Sequence, residues 1–415
     1  MFLFFKKYRF HSLLVFLGLI WLLFLYTFLD ISAQTLIFPD ASNYNEAATN
    51  LYWYYRGHCY RPMLMAGIYG FPLLFGASDT DLYTSSIYIN VVLWLATILI
   101  LFEMLLYYVS QKMAFWLALV FILMITNTLY NFHLLAETSF LFFLLLSFYF
   151  LQRYEKTRVF KWLAIGLALL VLSMLIKPAS KFFAILVLIY YARVLFLNYK
   201  TKAIFLLYAA LFLCFIQAAG LKHQFGDFTI SYIDSVTFHN YLFSKADAYR
   251  NGEEYHQIDN PRATYLFSKK VHEQKQIANA DIKEQLLNNK VNLIKAYGNN
   301  FLWNSATGSI CVNAYSKESQ SNPFNQKQSV LYIISKYQNR LMTVLGIIVA
   351  LFSLFYFYKK ESTAFLAALF VLYIIGISGI SSDQGDRFHL ITYPFTLFLL
   401  AAFLKSKLFF ARLQK

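Results

Sequence analysis

Several common sources of function are missing from this sequence. It holds no P-loop, no G-x-G-x-x-G turn, no H-E-x-x-H and no G-x-S-x-G. That removes the usual phosphate-cradling loops, dinucleotide fingerprints, zinc-protease helices and nucleophile elbows. Cysteine is scarce, with only Cys59, Cys214 and Cys311 in 415 residues and no C-x-x-C pair among them. An internal repeat of the kind carried by inverted-repeat transporters is not visible. The largest shortage is charge: charged residues make up 14% against 59% hydrophobic, and the mean hydropathy is +0.51. Soluble domains carry about 25% charged residues. Apolar runs near the ~20 residues needed to cross a bilayer recur along the chain, which makes this an integral membrane protein.

The charge that is present has a direction. A net charge of +15 would suit nucleic acid, but no basic recognition helix supports that reading. The basic residues cluster instead at the ends of apolar runs, as the positive-inside rule requires. Ten spans are expected: Leu13–Leu29, Ser86–Tyr108, Ala114–Leu129, Leu134–Leu151, Trp162–Ile176, Phe182–Leu197, Ala203–Gly220, Leu341–Tyr358, Ala364–Ile380 and Phe388–Leu404. Both termini then lie inside, with 17 Lys/Arg on the short inner segments against five on the short outer ones. The first run follows Lys6, Lys7 and Arg9, is long for a signal peptide and lacks a small-x-small cleavage site; a retained signal anchor is expected.

Three regions follow from this topology. Residues 1–220 form a transmembrane module whose first outer loop is 30–83, residues 221–340 an outer loop or cap domain, and residues 341–415 the closing spans. In the first outer loop a juxtamembrane helix is expected near Ser42–Tyr55. Met63–Phe75, broken by Gly67, Gly70 and Pro72, is too short to span and reads as interfacial or re-entrant. Gln274–Tyr297 reads as a surface helix from the 3.6-residue period of Ile277, Ile282, Leu286, Leu287, Val291 and Ile294. Cys59 and Cys311 both fall outside, where an oxidising compartment permits a bridge; whether they form one is left open.

Nearly every polar residue at a span end faces outside, including Asp40, Arg61, His133, Glu137, Lys177, Lys181 and Arg387. Ionisable groups beside a bilayer are costly and are functional candidates by default. Each has a plainer alternative. Asp40, after Pro39 and before a helix, could be an N-cap. Lys177 and Lys181 could snorkel to the interface, Arg387 could pair with Asp386 or Asp383, and Glu137 could be a satisfied buried acid. Tyr52, Trp53, Tyr54 and Tyr55 could stack on sugars or belong to an aromatic belt. Glu103, near an inner end, reads as structural.

The stretch Pro39-Asp40-Ala41-Ser42-Asn43-Tyr44, with Ala47, Asn50-Leu51, Arg61-Pro62, Pro72 and Gly76, resembles the first outer loop of the GT-C fold glycosyltransferases that use lipid-linked sugars. That family includes protein O-mannosyltransferases, aminoarabinose transferases and lipopolysaccharide-core transferases. Ala136-Glu137-Thr138, Ile176-Lys177-Pro178 and Asp386-Arg387-Phe388-His389 with Pro394 are similar to further motifs of the family. The resemblance covers roughly residues 10–200 and touches the last span; 221–340 matches nothing that can be named. Two departures are visible: Ala41 stands where many mannosyltransferases have Glu, and Lys177 where the family often has Arg. The first points toward the bacterial branch with a single carboxylate.

The resemblance implies an all-α polytopic membrane enzyme of a bacterial inner membrane, working on the extracytoplasmic side. It would be an inverting hexosyl or pentosyl transferase, moving a sugar from a polyprenyl-phosphate donor to a hydroxyl on a lipid, glycan or protein. Asp40 would be the catalytic carboxylate. Lys177, Lys181, Arg387 and Arg61 would hold the donor phosphate, while Glu137, Tyr44 and His133 would meet sugar or acceptor. No cofactor is required; a divalent metal at Asp40 is allowed but not demanded, because no second carboxylate adjoins it. The other readings are an O-antigen-type polymerase or ligase, which tends to place its arginines in the large loop, and a lipid-linked sugar flippase, which needs polar residues along a whole span.

Overall fold

The computed structural model describes residues 2–31, 38–313 and 322–413. The parts of the first outer loop and of the 221–340 segment at 32–37 and 314–321 lie outside the described residues. Among the described residues the chain is helical, without a strand. The membrane module is built from α1 (Phe2–Phe28), α2 (Ala41–Tyr54), α3 (Met63–Gly70), α4 (Asp79–Leu105), α5 (Gln111–Ile122), α6 (Ile125–Leu129), α7 (Glu137–Thr157), α8 (Phe160–Met174), α9 (Lys181–Tyr190), α10 (Ala192–Leu197) and α11 (Phe205–Phe225). The outer segment follows with α12 (Ile233–Thr237), a π-helical turn (Phe238–Phe243), α13 (Ser244–Asn251), α14 (Pro261–Phe267), α15 (Val271–Asn288), α16 (Lys290–Ala306) and α17 (Ile310–Asn313). The chain closes with α18 (Asn322–Phe357), α19 (Ser362–Ile377) and α20 (Tyr393–Leu413).

Among the described residues, six helical segments are long and apolar enough to cross a membrane: Tyr8–Phe28, Asp79–Leu105, Lys202–Phe225, Phe324–Phe357, Ser362–Ile380 and Gly385–Ser406. They correspond to six of the ten expected spans. The other four form as helices of different character. α5 and α6 make a pair bent by 66°, α7 carries charge at both ends, and α8 and α9 are short. The α5–α6 bend is made tolerable by one side chain: Gln338 of α18 accepts from the Ile125 N–H at 3.0 Å and donates to the Leu123 carbonyl at 3.0 Å. Both backbone groups freed by the break are thereby satisfied, which an apolar surrounding demands.

Tight packing sets the height of the helix ends expected to face outside. α8 lies against α7 closely enough that Ser147 Oγ donates to the Gly166 carbonyl at 2.6 Å. A Cβ at position 166 would sit 3.0 Å from the Ser147 carbonyl oxygen, so only glycine fits there without a shift. Phe148, Phe183, Phe370 and Phe395 form a buried aromatic box that ties α7, α9, α19 and α20 together, with centroids 4.8–6.1 Å apart. Such pairs add about 0.5–1.5 kcal/mol each beyond their burial. The same four elements carry Glu137, Lys181 and Arg387 at or beside their outer ends.

Candidate active site

Two irregular turns deliver the charged residues. In the first outer loop α2 begins at Ala41, as expected, and ends at Tyr55 in a left-handed conformation (φ 51°). The chain then bends around His58, whose Nδ1 accepts the backbone N–H groups of Tyr60 and Arg61 at 3.1 and 3.2 Å. Burial lowers the His58 imidazole to about 4, against the pull of Glu46, so it is neutral and free to accept. Pro62 starts α3, and Met63–Phe75 continues as a helix and a 3₁₀ turn that does not cross the bilayer. The second turn separates α8 from α9 at Lys177-Pro178. The Leu175 carbonyl just before it accepts from the Leu64 and Met65 N–H groups at 3.1 and 3.2 Å. One carbonyl thus joins the Arg61-Pro62 turn to the Lys177-Pro178 turn.

The side chains form an alternating chain of charge. Arg61 meets Asp40 Oδ1 at 3.1 Å, and Arg387 meets Asp40 Oδ2 at 2.7 Å. Arg387 Nε reaches Glu137 Oε1 at 2.5 Å, and Lys177 Nζ reaches the same oxygen at 2.8 Å. Three cations and two carboxylates leave the set one positive charge in excess. Arg61 also lies over the Tyr44 ring at 4.3 Å and donates to its hydroxyl at 3.4 Å, while Arg387 sits 5.0 Å over Phe38. The Glu137 side chain is fully buried, whereas Asp40 keeps 29% of its side chain exposed. Within the network, therefore, Asp40 is the carboxylate a substrate can reach. Burial alone would raise its pKa, but Arg387 and Arg61 outweigh that and hold the carboxyl well below the usual range. Burial pushes the Tyr44 hydroxyl up to about 12, so it stays a neutral donor.

Asp40, Tyr44, Arg61, Lys177 and Arg387 line a cavity of about 290 Å³. Phe182, Phe388, Tyr373, Ile377 and Ile380 add apolar and aromatic surface to the lining, with the Phe388 ring 5.4 Å from the Lys177 ammonium. The outer segment roofs it with Asp234, Thr237, Phe238 and Tyr241. The lining therefore combines a cationic set with apolar and aromatic surface, the character of a site for an anionic head on an apolar tail.

The expected residues divide on inspection. Asp40 makes no side-chain cap bond to α2, so the N-cap alternative fails. Arg387 does not pair with Asp386, which turns away to hydrogen-bond Thr126. Glu137 is close-packed behind the cavity wall and orients Lys177 rather than reaching into the space. Lys181 is drawn off to Asp234 of the roof, away from Lys177. His133 is 1% exposed, packs edge-on to Phe38 at 5.6 Å and does not line the cavity; the preceding 3₁₀ turn places it inside the bundle instead. Cys59 is a free thiol, so the bridge left open above is not formed. Glu103 is structural, bonded to His11 at 2.7 Å. The donor set does not suit a divalent cation: both Asp40 oxygens are taken by guanidinium groups, and a metal there would face three cations. Tyr60, Asp234, Phe238, Tyr241, Tyr373 and Gln384 are cavity residues that sequence reasoning missed.

No protein-family model and no curated protein sequence matches the chain. Two solved structures are similar to it: the Archaeoglobus fulgidus oligosaccharyltransferase in the apo form, and the archaeal oligosaccharyltransferase AglB from the same organism in complex with an inhibitory peptide and a dolichol-phosphate. Identity is 12% in both, with TM-scores of 0.46 and 0.47. The alignments cover 99% of this chain and 52% of theirs, so the chain spans about half the length of the structures it matches.

Proposed function

We propose that this protein is an inverting glycosyltransferase that moves a sugar from a polyprenyl-phosphate donor to an acceptor hydroxyl. The reaction would take place at the extracytoplasmic face of a bacterial inner membrane. The observation that carries this reading is the reachable Asp40 carboxylate set among three cations in a cavity that also has apolar and aromatic lining. The first-loop resemblance supports it independently.

In the proposed step Asp40 accepts the proton of the acceptor hydroxyl as its oxygen attacks the anomeric carbon. The bond between that carbon and the phosphate oxygen breaks, and the electron pair leaves with the polyprenyl phosphate. Arg387 and Lys177 are placed to neutralise the charge that develops on that phosphate. In the resting state the two guanidiniums make Asp40 a weak base. A donor phosphate competes for the same donors, and each contact it takes from Asp40 returns basicity to the carboxylate. Glu137 holds Lys177 and Arg387 in register from behind and touches no substrate.

Asp40→Asn tests the proposal. It preserves volume and one of the two acceptor oxygens but cannot take a proton near neutral pH, and loss of a general base costs roughly 10²–10⁴ in rate. The expected outcome is a folded variant that binds the donor and barely turns it over. Turnover within a few-fold of the wild type would remove Asp40 from the chemistry.

A further inference from the structure

Helix α16 is built inside out for a protein surface in water. Its buried face carries Asn300 and Asn304, each 0% exposed, together with Ala296. Asn300 donates to the Gly379 carbonyl at 3.2 Å; Asn304 donates to the Ser378 and Ser381 carbonyls at 2.9 and 2.7 Å. Its outward face presents Val291, Ile294 and Leu302, exposed by 79%, 72% and 66%. At 100° per residue these three fall on one stripe through Gly298, with Lys290 and Lys295 along its two edges. An amphipathic helix turns its apolar side to the core when the other side meets water. Here the core takes the polar side, so the apolar side faces something other than water.

The height of α16 indicates what that is. Tyr297 donates to the Gly376 carbonyl at the outer end of α19 at 2.7 Å, and the Asn304 carbonyl accepts from Asn339 of α18 at 2.8 Å. Asn339 lies about 27 Å along α18 from its inner end at Phe357, close to the ~30 Å thickness of the hydrocarbon core. Gly376 lies about 21 Å from the inner end of α19 at Ser362 by the same rise. Both anchors therefore sit in the outer half of the hydrocarbon core, and a helix fixed to both lies at the depth of the outer leaflet. α18, to which the C-terminal end of α16 is tied through Asn339, also exposes Tyr337 and Leu341, each by 64%.

We infer that α16 lies in the outer leaflet's interface, its Val291–Ile294–Leu302 stripe sunk into the headgroup–acyl boundary and its lysines reaching to lipid phosphates. Helices with this division of faces bind in that plane, and long lysine side chains suit its edge. The contact has a use. Ala296 packs with Leu242, Phe243 and Ala246, against Leu293 and Ile282, and this cluster includes part of the π-helical turn that brings Phe238 and Tyr241 to the cavity. The roof of the cavity is thus held at a fixed depth by the bilayer itself.

The test uses the full-length protein, single copies in nanodiscs of phosphatidylethanolamine and phosphatidylglycerol. Cys59, Cys214 and Cys311 are replaced by alanine, and an environment-sensitive NBD label is placed at Val291→Cys or Leu302→Cys, with Glu273→Cys on α15 as the control. Blue-shifted emission at 291 and 302, quenched by lipids bearing a doxyl group high on the acyl chain, with water-like emission at 273, is the expected result. Water-like emission at 291 and 302 overturns the inference. So does a blue shift that doxyl lipids leave unquenched, or one that appears only when two copies share a disc, because the stripe would then be covered by protein.

Discussion

The two ends of the helix bundle treat their acids in opposite ways. At the end that the charge asymmetry would put inside, Glu155 accepts the backbone N–H groups of Ser362 and Thr363, capping α19 from a neighbouring helix. Glu361 accepts the Tyr108 hydroxyl at 2.8 Å. At the outer end Asp40 and Glu137 each take two cations, and their partners line a cavity. An acid bonded to N–H and hydroxyl donors has finished its work when the fold is made. Acids that hold guanidinium and ammonium groups at a cavity wall keep those cations fixed in place for a third party. The comparison separates charges that secure helices from charges that wait for a ligand.

The hardest break in that contrast is at Arg387, the one residue shared by both outer carboxylates. Arg387→Gln leaves Asp40 and Glu137 facing each other short of a cation. Removing one partner of a buried pair costs about 3–5 kcal/mol, and turnover should be lost with it. Glu155→Gln is the inner counterpart: losing a cap costs about 0.5–2 kcal/mol, with turnover per folded molecule unchanged. Thermal unfolding in a single detergent, read beside donor turnover, checks both. Equal losses of turnover at the two ends would erase the distinction.

A finer test uses two lysines one helical turn apart. Lys177→Ala should raise the donor KM about tenfold, the scale of one charge-assisted contact of ~1.4 kcal/mol. Lys181→Ala, whose ammonium belongs to Asp234, should shift it less than twofold. Steady-state kinetics with a polyprenyl-phosphate sugar decide this, and equal effects would return Lys181 to the phosphate site.

The smallest effect expected is in pH. His58 is neutral in the fold with its pKa lowered to about 4 by burial, against an ordinary value of 6.5. Its stabilising contribution is whole above pH 6.5 and is lost as pH falls toward 4, because the unfolded chain takes up the proton first. The loop holding Arg61 should loosen over that window. His58→Gln, which still offers an acceptor, should flatten the drop in melting temperature, whereas variants at the inner end should leave it unaltered.

How much of this was legible depended on whether local chemistry or tertiary placement decided the outcome. The α2 helix and the broken Met63–Phe75 segment could be read because Pro, Gly and Asp punctuate backbone locally. Family resemblance assigned Asp40 and Arg387 to one site, but their direct pairing across 347 positions was not foreseen, since nothing in composition joins them. Lys181 shared its expected place at a span end with Lys177; an acid on α12 diverted it. The apolar period across Gln274–Tyr297 was real but its meaning was reversed. A break at Asn289 splits it between α15 and α16, Ile282 packs inward, and Val291 and Ile294 face out because asparagines have taken the inner face. Phe238 and Tyr241 reach the cavity through a π-helical turn that no residue pattern announces.

The carbonyl of Leu175 has a consequence for how this site can change over time. It fixes the phase of α3 against the turn before α9, so the spacing between Arg61 and Lys177 is written into backbone rather than into side chains. A point substitution in either turn leaves that spacing intact. A one-residue insertion between Pro62 and Leu64 would rotate the start of α3 by about 100° relative to Arg61 and pull the guanidinium off Asp40. Outside Arg61 and Lys177 the two turns can drift in residue type, but they can change length only together.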